Sequence, residues 1–251
     1  METTEVISRL RVDFGAKLRS INASLLYRWI LYFKSQPLVV SRKSAMVFSP
    51  HQDDETLGCG GLIALKRSLE VPVEVIFLTD GRGGKPDWVT PDKIIDVREQ
   101  EAIDALSILG VSSSNAHFLK QIDGSLQSLS DEQRQHLVDQ LAQRMRSFMP
   151  EEVYVPHRKD VHGDHEATYK LVQDAIAVSG LQVELLQYPI WMLWQNPLSF
   201  ELNSEDLNNI YNVRIHSVKE RKKQAIYTYK TQISGLPNGF LERFFLPYEI
   251  F

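Results

Sequence analysis

Apolar residues fall along this chain in short runs of two kinds. AMVFSP (45–50), VPVEVIFLTDG (71–81), AHFLK (116–120), EEVYVP (151–156) and QVELLQYPIW (182–191) are compact and rich in β-branched and aromatic residues, as buried strands are. Between them lie stretches with apolar positions three and four apart, the spacing of amphipathic helices. LGCGGLIALKRSLE (57–70) turns Leu57, Leu62, Ile63, Leu65 and Leu69 to one side. TPDKIIDVREQEAIDALSILG (90–110) has Thr90 for an N-cap, Pro91 at the first helical position and Gly110 as its stop. SDEQRQHLVDQLAQRMRSFMP (130–150) opens on a capping-box pair, Ser130 and Gln133, and HEATYKLVQDAIAVS (165–179) is the next helix. One late strand in IYNVRIHSV and one helix over 219–232 complete the pattern. Strands alternating with helices predict an α/β fold, a mostly parallel sheet with helices on both faces.

The N-terminal stretch predicts a long helix outside that alternation. Ile7, Leu10, Phe14, Leu18, Ile21, Leu25 and Trp29 recur at helical spacing with Arg and Lys between them. Two readings are open: a helix docked on the domain or on another subunit, or one lying on a membrane surface. Its most apolar part, LLYRWILYF (25–33), carries Arg28 and is far short of the roughly 20 apolar residues of a spanning helix. The expected organisation is a helical extension over 1–42 and one domain over 43–251.

Composition narrows the function classes. A hydrophobic fraction of 43% and a charged fraction of 24% describe an ordinary globule with a sizeable core. A net charge of −4 without a basic, aromatic-interleaved cluster speaks against nucleic acid. The single cysteine, Cys59, excludes an internal disulfide framework and a cysteine-built zinc site. With no secretory leader in view, the expected compartment is the cytoplasm.

Two polar clusters change the picture. SPHQDDETLGCGG (49–61) comes after the first strand, and HRKDVHGDH (157–165) after the strand over 151–156. In open α/β sheets, ligands bind beyond the carboxyl ends of the strands, so both clusters open onto one edge, together with TDGRGG (79–84). Imidazole and carboxylate are good zinc donors, and the spacing of His51 and Asp54 lets both reach one ion. His162 or His165 can supply the third donor. Asp53 then has room to take a proton from metal-bound water, and the remaining histidine to stabilise an oxyanion or protonate a leaving group. Acids ahead of a helix serve equally as cap and first-turn residues, so the metal reading rests on the two stretches together. GCGG lacks the full spacing of a dinucleotide-binding loop.

PHQDDE with GCGG behind it, together with the later HGDH, closely resembles the LmbE-like family of zinc-dependent N-deacetylases, which includes the deacetylase of GPI-anchor biosynthesis. The likeness covers roughly 45–235 and implies a Rossmann-like sheet. It implies His51, Asp54 and His165 as metal ligands, Asp53 as general base, and His162 as the group that stabilises the oxyanion or helps protonate the leaving amine. Asp164 would orient the His162–His165 pair. Arg98, in VREQEAIDALSILGV, and Asp123, in QIDGSL, match positions that face the sugar in relatives, and RKKQAIYTYKTQ (221–232) resembles the closing helix. Gln52 departs from the commonest proline and is expected to loosen the turn. The approach to the second motif, with His157, Arg158 and Asp160, is more charged than usual. The implied activity is removal of the N-acetyl group from an N-acetylated sugar or glycoconjugate, with Zn2+ as cofactor and Fe2+ as the alternative. Competing expectations are the same mechanism on another N-acyl substrate, and a non-catalytic metal- or sugar-binding module. Homo-oligomerisation and peripheral membrane contact through the N-terminal helix are further expectations.

Overall fold

A computed structural model describes residues 2–194 and 208–251, and only the backbone of residues 2–14. Five strands form a wholly parallel sheet: β2 (Ala45–Ser49), β3 (Val73–Thr79), β4 (Ala116–Gln121), β5 (Glu152–Pro156) and β6 (Glu184–Tyr188). Their spatial order is β4-β3-β2-β5-β6. Residues of β2, β3 and β5 alternate between two apolar clusters. Val47, Val75 and Tyr154 face one, and Met46, Phe48, Ile76, Val153 and Val155 the other. With both faces covered, the strands read as continuous apolar runs rather than alternating ones.

The first face is covered by α2 (Asp54–Ser68) and α3 (Ile94–Leu109), the second by α4 (Asp131–Phe148) and α5 (Gly163–Ser179). The capping box of α4 forms as its sequence predicts: Gln133 N donates to Ser130 Oγ at 3.2 Å, and Ser130 N to Gln133 Oε1 at 3.0 Å. α3 stops at Gly110, whose φ of 91° is open to glycine at little cost. Its start differs from expectation. Thr90 and Pro91 form a turn, closed by Lys93 N on Thr90 O at 3.1 Å, and the helix begins only at Ile94. α2 starts three residues earlier than its apolar spacing suggests, because Leu57 N already donates to Asp53 O at 2.8 Å. Leu69, expected on its inner side, is exposed. Gly58 and Gly61 do the packing in its place. A methyl at Gly58 would stand 2.7 Å from Cγ of Tyr188, and one at Gly61 2.5 Å from Cγ2 of Ile215.

Three short strands build a second sheet in the order β1-β7-β8: β1 (Ser35–Pro37), β7 (Ile210–Arg214) and β8 (Tyr248–Ile250). The helix expected over 219–232 breaks into α6 (Lys219–Ile226) and α7 (Lys230–Ile233). The break accompanies a tether: Thr231 N and Oγ1 bind the two oxygens of buried Glu101 at 3.0 and 2.5 Å, which fixes α7 against α3. Buried Lys222 joins Glu249 at 2.7 Å and Leu57 O at 2.7 Å, tying α6 and β8 to α2.

The N-terminal helix, α1 (Glu2–Phe33), docks through Ala16, Ser20, Ala23, Tyr27, Ile30 and Leu31. Tyr27 Oη donates to Tyr248 O at 2.6 Å. This is not the apolar face that the sequence spacing picks out. Leu18, Ile21, Leu25 and Trp29 are exposed, while the side chains of Ile7, Leu10 and Phe14 lie outside the described residues.

Candidate metal centre

Strand order reverses at the centre of the parallel sheet. The chain leaves β2 toward β3 on one side, and leaves β5 toward β6 on the other. Loops at such a switch point diverge and leave a crevice between them. The two histidine–aspartate motifs are those loops.

Beyond β2, Ser49 Oγ donates to His51 O at 2.6 Å and accepts Glu55 N at 3.1 Å, so one hydroxyl fixes both the turn and the first turn of α2. His51 and Asp54 thereby converge, with His51 Nδ1 3.1 Å from Asp54 Oδ2. Gln52 points into the protein and donates to Thr79 O at 2.8 Å, so it ties β2 to β3 rather than loosening the turn. Beyond β5, His162 caps α5, its Nδ1 accepting Asp164 N at 3.3 Å, and His165 lies on the first turn.

The two loops meet in a triangle of donor atoms. His165 Nε2 lies 3.2 Å from Asp54 Oδ2 and 3.3 Å from His51 Nδ1. Donors at zinc's usual bond lengths, set tetrahedrally, stand roughly 3.3 Å apart. The outer nitrogen of each ring is bound by carboxylate. His165 Nδ1 meets Asp160 Oδ2 at 2.6 Å, and His51 Nε2 lies 3.2 Å from both Asp123 Oδ1 and Asp164 Oδ2. Such partners fix the tautomer and raise the basicity of an imidazole donor. The residues present therefore fit a divalent ion with nitrogen and oxygen ligands. His162 stands beside this triangle, its ring 4.9 Å from those of His51 and His165. Its nitrogen belongs to an alternative donor set with theirs, all within 4.8 Å, and His51 forms another with Asp123 and Asp164.

Two placements differ from expectation. Asp164 does not orient the His162–His165 pair: its carboxylate accepts Gly124 N at 2.7 Å and Leu126 N at 3.0 Å and faces His51. The group on His165 is Asp160, fully buried, which also accepts the backbone N–H groups of Ile190, Trp191 and Met192 at 2.9, 3.0 and 2.8 Å. In sequence Asp160 showed only as extra charge ahead of the second motif, and its partners lie about thirty residues further on.

The electrostatics arise from this crowding. Burial pulls His51 down, but the carboxylates of Asp123, Asp164 and Asp54 outweigh it and raise its pKa well above 6.5. For His165, burial is likewise outweighed, by the Asp54 charge and the Asp160 bond, and the pKa rises to about 9. Asp54 resists the effect of burial because both histidines hold it far below the usual carboxylate range. Asp123, against burial, is held at about 2 by His51. Asp53 goes the other way: burial, then the Asp54 charge, raise it well above 3.8. His162 is lowered by burial and by the neighbouring histidines, so it favours the neutral form.

A pocket of about 330 Å³ opens over the triangle, with Asp53, Arg98, Asp123, His162, Trp191 and Phe240 among its walls. Arg98 lines it but spends its guanidinium on the glycine loop, donating to Gly81 O, to Gly83 O at 2.8 Å and to Gly84 O at 3.4 Å. Asp123 Oδ2 accepts Gly83 N at 2.8 Å, so both expected sugar-facing residues also shape that loop. Trp191 and Phe240 form an aromatic wall, their centroids 4.2 Å apart. The stretch 188–194 is otherwise core, with Tyr188, Ile190, Met192, Leu193 and Trp194 buried. A cavity of about 290 Å³ between Leu185, Met192, Tyr211 and Phe251 has no acid among the described residues that line it.

Known proteins resemble this chain. It is 27% identical over 139 residues to a probable N-acetyl-alpha-D-glucosaminyl L-malate deacetylase 2 of Bacillus subtilis, a match covering 54% of this chain and 61% of the relative. It is also 27% identical over 191 residues to the uncharacterized deacetylase YaiS of Escherichia coli, covering 72% of this chain and 91% of that one. The chain thus spans 61% of the length of the first relative. Among solved structures, the conserved protein TT1542 of Thermus thermophilus superposes with a TM-score of 0.62 at 27% identity, over 80% of this chain and 84% of the other. The family model of PIG-L, GlcNAc-PI de-N-acetylase, matches residues 46–176, the span holding both donor loops, and the chain belongs to that family.

Proposed function

We propose that this protein is a metal-dependent deacetylase that removes the N-acetyl group from an N-acetylated sugar or glycoconjugate, with zinc as the metal and Fe2+ as the alternative. The observation that carries this reading is the donor triangle of His51, Asp54 and His165, with both outer imidazole nitrogens bound to carboxylate. A divalent ion on these donors supplies a Lewis acid for a carbonyl oxygen and a site where water is activated.

The chain's own residues supply the rest. Asp53 lines the pocket beside the triangle, and its raised pKa makes it a stronger base than an ordinary carboxylate. It takes a proton from water as the water oxygen bonds to the acetyl carbon. His162 accepts Asp164 N at Nδ1, which leaves its proton on Nε2 in the neutral ring. That N–H stabilises the charge developing on the carbonyl oxygen. The C–N bond then breaks as the amine nitrogen takes up the proton held by Asp53, and acetic acid leaves, losing its remaining proton to solvent as acetate. Arg98 and Asp123 shape a polar part of the pocket for sugar hydroxyls, and Trp191 and Phe240 give it an aromatic wall. The relatives' names support an N-acetylglucosaminyl substrate.

Metal content and amine release test this together. Purified protein should hold about one zinc or iron per chain and release amine from N-acetylglucosaminyl conjugates. An Asp54→Ala, His165→Ala double variant should lose both, and Asp53→Ala should keep the metal and lose most turnover. A wild-type protein that takes up no metal even after incubation with zinc would remove this reading.

A further inference from the structure

The outward side of α1 is an apolar stripe that no part of the described chain covers. At 3.6 residues per turn, Leu18, Ile21, Leu25, Trp29, Tyr32 and Phe33 share an arc of roughly 120°, directly opposite the docked Ala16, Ser20, Ala23, Tyr27, Ile30 and Leu31. The stripe is open along its length, with Leu25 64% and Phe33 75% exposed. Ordinary surface helices carry one apolar face; this one carries two, and only one is used internally.

Charge identifies the occupant. From Phe14 to Lys34 the sequence contains four basic residues, Lys17, Arg19, Arg28 and Lys34, and not a single acid, in a chain whose net charge is −4. Lys17 and Arg28 are exposed along one border of the stripe, and Lys34 at its end lies 5.3 Å over the Trp29 ring. Three aromatics gather at the C-terminal end of the stripe, the residue type that settles at headgroup depth. A second copy docked on the same face would bring the basic borders of the two helices together, and residues 14–33 contain no acid to offset them. No helix among the described residues is long and apolar enough to cross a membrane.

We propose that this face of α1 binds the surface of an anionic membrane, lying in the headgroup layer with its apolar stripe inward and its basic border on lipid phosphate. Docking of α1 on Gly239 and Tyr248, through Ser20 and Tyr27, then carries the folded protein to the surface as one body.

Cosedimentation of the full chain with vesicles of phosphatidylcholine, with and without phosphatidylglycerol, tests the proposal. Binding should require the anionic lipid and weaken with added salt. A Leu25→Asp, Trp29→Ser variant should lose roughly tenfold or more of the bound fraction, with unchanged circular dichroism and metal content because neither side chain enters the core. Absence of binding to anionic vesicles overturns the proposal, as does equal binding by the variant. A dimer in light scattering that this variant dissociates also overturns it, and makes a second copy the occupant. Since none of these readouts uses the hydrolytic reaction, failure here leaves the proposed activity untouched.

Discussion

Asp160 and His165 form a fully buried pair, Oδ2 to Nδ1 at 2.6 Å, in which a single carboxylate holds a donor histidine and three successive backbone N–H groups of the pocket wall. The position of the ring and the position of Trp191 are thus set by the same four oxygen contacts.

Asp160→Asn keeps the volume but loses the charge, and its amide cannot accept at both oxygen positions. Metal affinity should fall roughly 10- to 100-fold, as loss of a carboxylate behind a metal-binding histidine generally does. A chelator-competition titration measures it. Asp160→Ala leaves several buried donors unpaired and should cost about 3–5 kcal/mol of stability in denaturant unfolding.

pH should act oppositely on the metal-free and metal-loaded protein. His165 titrates at about 9 in the folded chain against an ordinary 6.5. Its proton's contribution to stability is complete below the lower value and is lost as pH rises through that window. With chelator present, the melting temperature should decline between those limits, and His165→Gln should flatten the decline. If His51 and His165 hold the metal as proposed, its binding must expel their protons, so metal affinity should rise with pH and about two protons should leave per ion near neutrality. Calorimetry in buffers of different ionisation enthalpy counts them.

Arg98 makes a distinctive prediction because its three carbonyl partners all belong to the Gly81–Gly84 loop. Lysine keeps the charge but cannot spread donors over that arc. Arg98→Lys should leave metal content unchanged, speed proteolysis of the loop and raise KM by roughly tenfold, with a smaller effect on kcat. A loss confined to kcat would place Arg98 in the chemistry instead.

Gly58→Ala tests the closeness of α2 to the sheet. The Tyr188 ring cannot swing aside without breaking its hydroxyl bond to Phe48 O at 2.7 Å. Overpacking of about 1–3 kcal/mol is expected in urea unfolding, and the site on the first turn of α2 should lose metal affinity with it.

The sheet and the meeting of the two loops were legible because they depend on local pattern: apolar runs locate the strands, and loops at the carboxyl ends of parallel strands share one edge. The partners of the donor residues were not legible. Asp164 reads as a companion of the histidines that flank it, yet a helix N-terminus turns its carboxylate away from them, toward Gly124, Leu126 and His51. Asp160 looks like surface charge until the chain folds N–H groups from 190–192 onto it, and nothing local to Glu101 points to Thr231 as its partner. Helix α1 shows the limit most plainly. Its strongest apolar period marks the open side, while small residues, Ala16, Ser20 and Ala23, mark the docked one. Hydropathy weights bulk, whereas the N-terminal half of the docked face is built from small residues, and bulky Tyr27, Ile30 and Leu31 join it only towards the C-terminal end.

On the proposed site, the reversal of strand order between β2 and β5 would also make the metal a late arrival in the life of the chain. Until β5 pairs beside β2 and α5 begins beyond it, only His51 and Asp54 stand ready, and two donors hold an ion weakly. Tight binding therefore waits on the longest-range pairing in the parallel sheet and cannot guide the earlier steps of folding. Its influence falls at the opposite end, on escape from the finished structure. Separating the two halves of the sheet must first tear the ion from one of them, so a loaded molecule should unfold far more slowly than an empty one while refolding at nearly the same rate.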